Sequence, residues 1–323
     1  MGRDLVKEIL EFKARGGHVD DAVFEAITLD AEWIARTPVR ARTNDDFYPM
    51  RAVTLLEVFV KTWITRLIDH GSPYAENAAG LAASGVKFDY NVALALRGKK
   101  LSMGELVAHG LPVNRIEDVA GPFSTVLGRD IFALIETTVD RFKVERQDEP
   151  RRPIVQDMKR LRARIAELFR VRHILTHELP KTKPYAPNDV EGFLGSVVEF
   201  MQATDQALRT QLFGHYPLTP MEMAEDYGRR LALVESALQA ALDQIAQRAW
   251  NVVEHQQAQE RWTSFANAQV SLVGSTLEGG SLQAVAMVAE RLRLTVARVA
   301  DVTWWLEKRD GTLWRDVPGF ETG

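Results

Sequence analysis

The chain has 323 residues, 46% of them apolar and 26% charged, with 40 basic and 44 acidic side chains and a formal net charge of −4. That length exceeds the usual size of one core, so two domains are expected, and the slight acidity argues against a protein coated with nucleic acid from end to end. Zero cysteines exclude a disulfide framework, a thiol nucleophile and a cysteine-based zinc site. No apolar run approaches the roughly 20 residues of a membrane span, the start Met1-Gly2-Arg3-Asp4 opens no signal-peptide hydrophobic region, and Val6 breaks the myristoylation pattern. The expectation is a cytoplasmic protein without a membrane partner.

Residues 1–45 carry two short helical patterns, around Leu5, Ile9 and Phe12 and around Val23, Ile27, Trp33 and Ile34, expected to pack on a helical bundle formed by residues 46–215. From Phe47 to Asp69, Val53, Leu56, Phe59, Val60, Trp63, Leu67 and Ile68 share one helical face, with Glu57 beside them. Turns are expected at Gly71-Ser72-Pro73, Gly110-Leu111-Pro112 and Gly121-Pro122. Next comes an amphipathic stripe of Met158, Leu161, Ile165, Leu168, Leu175 and Leu179, which puts Arg172 in phase with the buried face. Pro187-Asn188-Asp189 can start a further helix bearing Val190, Phe193, Val197, Phe200 and Met201. A linker is expected at Phe213 to Pro220, and beyond it Val234, Leu238, Ile245, Ala249 and Val253 again repeat with helical spacing. No stretch alternates as a strand would, so the fold class is all-α.

An arginine on a core stripe needs an acid, carbonyls to cap, or a cleft or subunit interface to face. Around it, Arg151 to Arg172 holds eight basic residues against two acids, a local charge of +6 that suits phosphate. The bland reading of such a run is a solvated helix face. His173 and His177 stand four apart, the spacing of zinc ligands, although the order His-Glu-x-x-His is absent. His177 can instead be a cation closing the last turn before Pro180, and Arg172 can pair with Glu57 or Asp130 as a buried structural bridge.

The arrangement Arg172, His173, three residues, His177 resembles the Arg-x4-6-His signature of the HEPN superfamily of helical ribonucleases. The helix from Phe47 looks like the opening helix of that bundle. The stretches Leu101-Ser102-Met103-Gly104-Glu105-Leu106-Val107 and Leu127-Gly128-Arg129-Asp130-Ile131-Phe132 resemble middle elements of its RNase L- and PrrC-related subgroup. The resemblance covers roughly residues 46–215 and implies metal-independent RNA cleavage, with no cofactor, in a homodimer whose two motifs meet. It also implies a toxin or phage-defence role, with an antitoxin or trigger protein as a possible partner. Attack of a ribose 2′-hydroxyl on phosphate needs a base, an acid and positive charge. Histidine suits either proton role, and arginine grips phosphate oxygens bidentately. Arg172, His177 and His173 are therefore the catalytic candidates, and Arg160, Arg164 and Arg170 the RNA-binding ones; no metal is expected. In an ideal helix Arg172 and His177 lie about 140° apart, so either the last turn unwinds or the two act from different protomers. The alternative function is a non-catalytic RNA-binding or protein-interaction scaffold using the same basic helix. Some related toxins are controlled by modification of a tyrosine two residues after the histidine; here that position is Leu179, and the nearest tyrosine is Tyr185.

Residues 221–308 carry a second resemblance. Ala258-Gln259-Glu260-Arg261-Trp262, Asn267-Ala268-Gln269-Val270, Gly279-Gly280-Ser281 and Leu294-Thr295-Val296-Ala297-Arg298 are similar to the LprI-type lysozyme-inhibitor domain. Val270 and Glu290 occupy the places of its two cysteines. That loss fits a compartment in which a disulfide contributes nothing, so the fold is carried over and the inhibitor activity is not. A plain helical hairpin that braces the first domain or a dimer remains open. Trp304, Trp305 and Trp314 form a cluster expected to be core, with base stacking or an interface as the other possibilities. Residues 309–323 are expected to be a tail.

Overall fold

The computed structural model describes residues 5–15, 20–42, 44–82, 90–178, 180–248 and 252–307. Among these the protein is all-α, and the one extended pairing is an isolated antiparallel bridge between Val139 and Pro153. The chain divides after Gly214 into two compact units, residues 1–214 and 215–323. No helix among the described residues is long and apolar enough to cross a membrane.

The first unit opens with α1 (Leu5–Ala14) and α2 (Asp20–Arg36). Ile9 of α1 joins Val92, Ala95, Leu101 and Leu106 in a small side core. Val23, Ile27 and Ile34 of α2 fall on one helical stripe and enter the main core. The hub is α3 (Phe47–His70), which buries Val53, Leu56, Phe59, Val60, Trp63, Leu67 and Ile68, the set that the sequence spacing predicts. It stops at Gly71, whose φ of 99° favours a residue without a Cβ.

Short helices α4 (Tyr74–Asn77), α5 (Ala79–Ala82) and α6 (Tyr90–Arg97) come next. After them, α7 (Met103–His109) starts on a capping box: the Glu105 amide donates to the Ser102 hydroxyl at 3.1 Å, and the Ser102 amide donates to the Glu105 carboxylate at 2.7 Å. Its Gly104 lies directly on α3. The Gly104 amide donates to Asp69 at 2.9 Å, and a Cβ there would stand 2.8 Å from the Thr65 Cα.

One expected turn is corrected. Gly121-Pro122 lies inside α8 (Ile116–Leu127), not between helices. An internal proline costs a helix about 3 kcal/mol, but Val119, Phe123 and Val126 on either side are fully buried, and that apolar stripe holds the helix together across the lost hydrogen bond.

Helices α9 (Ile131–Glu136), α10 (Arg141–Arg146) and α11 (Met158–His177) each begin at an aspartate that accepts from the amide three residues on. The distances are 2.9 Å for Asp130, 3.1 Å for Asp140 and 2.9 Å for Asp157. The unit closes with α12 (Asp189–Phe213), which buries Val190, Phe193, Val197, Phe200 and Met201. Both α3 and α12 pack against α11, which fixes the helix that carries the arginine–histidine motif.

The second unit consists, among described residues, of α13 (Pro220–Arg248), α14 (Val252–Thr276) and α15 (Gln283–Glu307), with α15 against both of the others. Its core is small: Leu238, Ala241 and Val302 are buried, flanked by Ile245, Trp262 and Leu306. The helical pattern expected to run through Val253 breaks before it. Val253 belongs to the separate helix α14 and is 64% exposed, and Ala249 lies outside the described residues. Trp304 and Trp305 meet edge to face at 6.2 Å, but Trp305 is half exposed and is not core. Trp314 and the tail expected at 309–323 lie outside the described residues.

His255, on α14, has its Nε2 buried with no hydrogen-bond partner among the described residues. Burial, and then Arg298, hold its pKa below the ordinary histidine value. The unfolded chain therefore binds a proton that the folded one resists. The resulting stability is present above about pH 6.5 and is lost as pH falls through the lowered folded value. Acidification from about pH 8 to about pH 5.5 should lower the melting temperature of the wild type more than that of His255→Gln, as followed by circular dichroism.

Candidate functional site

The motif sits on the last two turns of α11. Asp157 sets the start of that helix, and Leu161, Ile165, Leu168, Phe169 and Val171 are its buried side chains. Val171, three residues after Leu168, takes the core position that the sequence pattern assigned to Arg172. Steps of three and of four both fit helical periodicity. Arg172 is thus at the margin of the stripe and half-buried. Neither acid foreseen as its structural partner engages it: Glu57 pairs with Lys61 at 2.7 Å, and Asp130 caps α9. Among the described residues the Arg172 guanidinium has no ion-pair or hydrogen-bond partner.

His173 and His177 are both exposed, and their rings face one another at 5.0 Å between centroids, tilted by 50°. The i,i+4 spacing brings them together. Unwinding of the last turn does not occur. The Glu178 amide donates to the Ile174 carbonyl at 2.9 Å, so the helix stays regular through His177 and ends at Glu178 in an extended conformation. Within one chain Arg172 and His177 therefore remain about 140° apart around the axis. Among the described residues no third histidine, aspartate or glutamate joins the two imidazoles in a metal-holding group.

Three ties hold the segment after α11 in place. Tyr185 is buried and its hydroxyl donates to Asp46 at the head of α3. Arg42 bonds the Pro187 carbonyl at 3.1 Å as well as the Thr37 and Ile34 carbonyls at the end of α2. Arg170 bonds the Pro184 carbonyl at 3.1 Å. Burial, with Asp46 adding to it, pushes the Tyr185 phenol far above its ordinary pKa. This tyrosine is committed to the fold and not presented for modification.

Among the described residues, three of the eight basic residues of the run are paired with acids. Arg160 pairs with Glu199 at 3.3 Å, Arg164 with Asp189 at 2.9 Å and Arg170 with Glu167 at 2.6 Å. Hydrogen bonding to Arg170 lowers the Glu167 pKa, and the Ala186 amide followed by Arg164 lowers that of Asp189. Arg162 lies over the Phe132 ring at 4.6 Å. An RNA phosphate approaching Arg160, Arg164 or Arg170 must therefore compete with a carboxylate already in place.

The second unit places the residues of the other resemblance on two helices and their connection. Trp262 on α14 is flanked by Arg291 at 5.5 Å and Arg298 at 6.0 Å, and Arg298 bonds Gln259 at 3.1 Å. Gly279, with φ of 76°, turns the chain into α15. Glu290 pairs with Arg293 at 2.7 Å and bonds Gln269, the neighbour of Val270.

Sequence reasoning missed a cleft of about 500 Å³ in the first unit, between α2, α3 and α12, which gathers Trp63, Arg66 and Arg209. Trp63 and Arg66 are three residues apart on α3, but Arg209 comes from α12, too far along the chain to form a motif with them. The apolar spacing that identified Trp63 as core carried no sign of the two guanidinium groups beside it. A scan against protein-family models, a search of curated proteins and a search of solved structures gave no match.

Proposed function

We propose that this protein is a metal-independent endoribonuclease of HEPN type, a toxin or phage-defence effector that cleaves RNA at a site shared by two protomers. The observation that carries the reading is the exposed imidazole pair at the end of α11 beside a half-buried arginine with no acid on it. Two imidazoles 5.0 Å apart supply a base and an acid from one chain. Arg172 supplies charge for the phosphate, and because it points away from His177 it serves the motif of the partner. The LprI-like unit would regulate, sense or dimerise. A non-catalytic scaffold is the second reading, favoured by the carboxylates already paired with Arg160, Arg164 and Arg170.

A mixing experiment tests the shared site. Arg172→Ala and His177→Ala proteins should each be inactive alone. Co-expressed in equal amounts they form heterodimers with one intact site in two, and about a quarter of wild-type cleavage should return. A mixture as inactive as its components would overturn the two-protomer site.

A further inference from the structure

The cleft between α2, α3 and α12 combines an apolar floor with two arginines, Arg66 and Arg209, and two acids, Glu25 and Asp205. Phe59 and Trp63, both buried, form part of the floor. Two guanidinium groups lie over the Trp63 ring, that of Arg66 at 5.1 Å and that of Arg209 at 5.9 Å. One aromatic ring thus holds two like charges near each other, although like charges repel. Asp205 bonds Arg209 at 2.7 Å and offsets part of this charge. Glu25, the other acid on the cleft, is exposed, where water and salt weaken its field. Burial, and then Arg209, lower the Arg66 pKa, Asp205 opposing them, so the fold maintains a charged group where its charge is disfavoured. Such an arrangement at a cleft is a candidate ligand site.

Thr62 gives an independent indication. It is 7% exposed, it lines the same cleft, and its hydroxyl has no hydrogen-bond partner among the described residues. A buried hydroxyl without a partner is costly unless a ligand supplies one. The space is within the range of small-molecule sites and larger than a bare phosphate needs.

We infer that this cleft binds a small organic phosphomonoester of about the size of a nucleoside monophosphate, the phosphate bridging Arg66 and Arg209 and the organic body lying along Phe59 toward Thr62. Phosphate accepts from both guanidinium groups and relieves their repulsion. The inference does not depend on RNA cleavage, since none of these residues belongs to the motif on α11.

The test is titration calorimetry on the full chain with AMP, GMP, CMP, UMP, glucose 6-phosphate and inorganic phosphate as probes. At least one organic phosphate should bind once per chain, roughly tenfold or more tighter than inorganic phosphate. Arg66→Gln and Arg209→Gln should each weaken it roughly tenfold or more, and the isosteric Thr62→Val several-fold, with helical content and melting temperature checked for each. A variant that loses its fold leaves the other two to decide. His177→Ala should bind as wild type does. If no organic phosphate binds more tightly than inorganic phosphate, or if the three cleft variants bind normally, the inference fails. If His177→Ala alone loses binding, the ligand sits on α11 and the inference also fails, while the ribonuclease reading stands. Nucleotide arms active with glucose 6-phosphate silent would identify the organic body as a nucleoside, and the reverse as a sugar.

Discussion

His177→Ala should slow RNA cleavage by about 10²- to 10⁴-fold, the usual contribution of a positioned proton-transfer group, and should leave the melting temperature unchanged. The side chain is exposed and its ring faces His173, so its loss removes nothing from the core. Exposed substitutions of this kind stay within about 0.5 kcal/mol. His173→Ala should lose activity as well, because the proposed site uses the two rings as one acid–base pair. Arg172→Lys should fail to restore what Arg172→Ala loses, since an ammonium lacks the planar fork that grips two phosphate oxygens. Initial rates on a single-stranded RNA in chelator, beside melting curves, check all three variants. Loss of activity that tracks loss of fold would instead assign these residues to structure.

The second large effect is on stability. Gly104→Ala should cost about 2 to 4 kcal/mol, near or above the upper end for overpacked sites. The added Cβ would meet the Thr65 backbone, its Cα at 2.8 Å, and neither element can yield easily. The Gly104 amide holds Asp69, the capping box fixes the start of α7, and Thr65 is mid-helix in α3. Gly195, on α12, is the matching control. A Cβ there meets nothing within 4 Å, so Gly195→Ala should stabilise by about 0.5 to 1 kcal/mol through the usual helix preference. Urea denaturation of both variants gives the comparison, and equal effects would mean that α7 does not approach α3 as described.

Where one face of a helix is apolar, the sequence was a sufficient guide. The stripes of α3 and α12 were legible residue by residue because burial on one side enforces the period. The break at Gly214 was legible from the glycine and prolines around it. Periodicity was less informative where two phases fit it equally. Steps of three and of four both extend the stripe of α11, and only packing against α3 and α12 decides that Val171 fills the core and Arg172 its edge. Gly121-Pro122 has the local chemistry of a turn, but the burial of its neighbours outweighs it, which is a tertiary effect. The basic run was read as a charged patch because its partners Glu199 and Asp189 are supplied by another helix. The cleft at Trp63 was invisible for the same reason.

The most direct test of the ribonuclease reading incubates total RNA in chelator with wild-type protein and with the Arg172→Ala/His177→Ala double variant, and maps the ends produced. The account predicts cleavage by the wild type alone, leaving 2′,3′-cyclic phosphate ends, because attack comes from the neighbouring 2′-hydroxyl without a metal. RNA left intact by the wild type, cleavage that the double variant retains, or cleavage that leaves 3′-hydroxyl ends would contradict it.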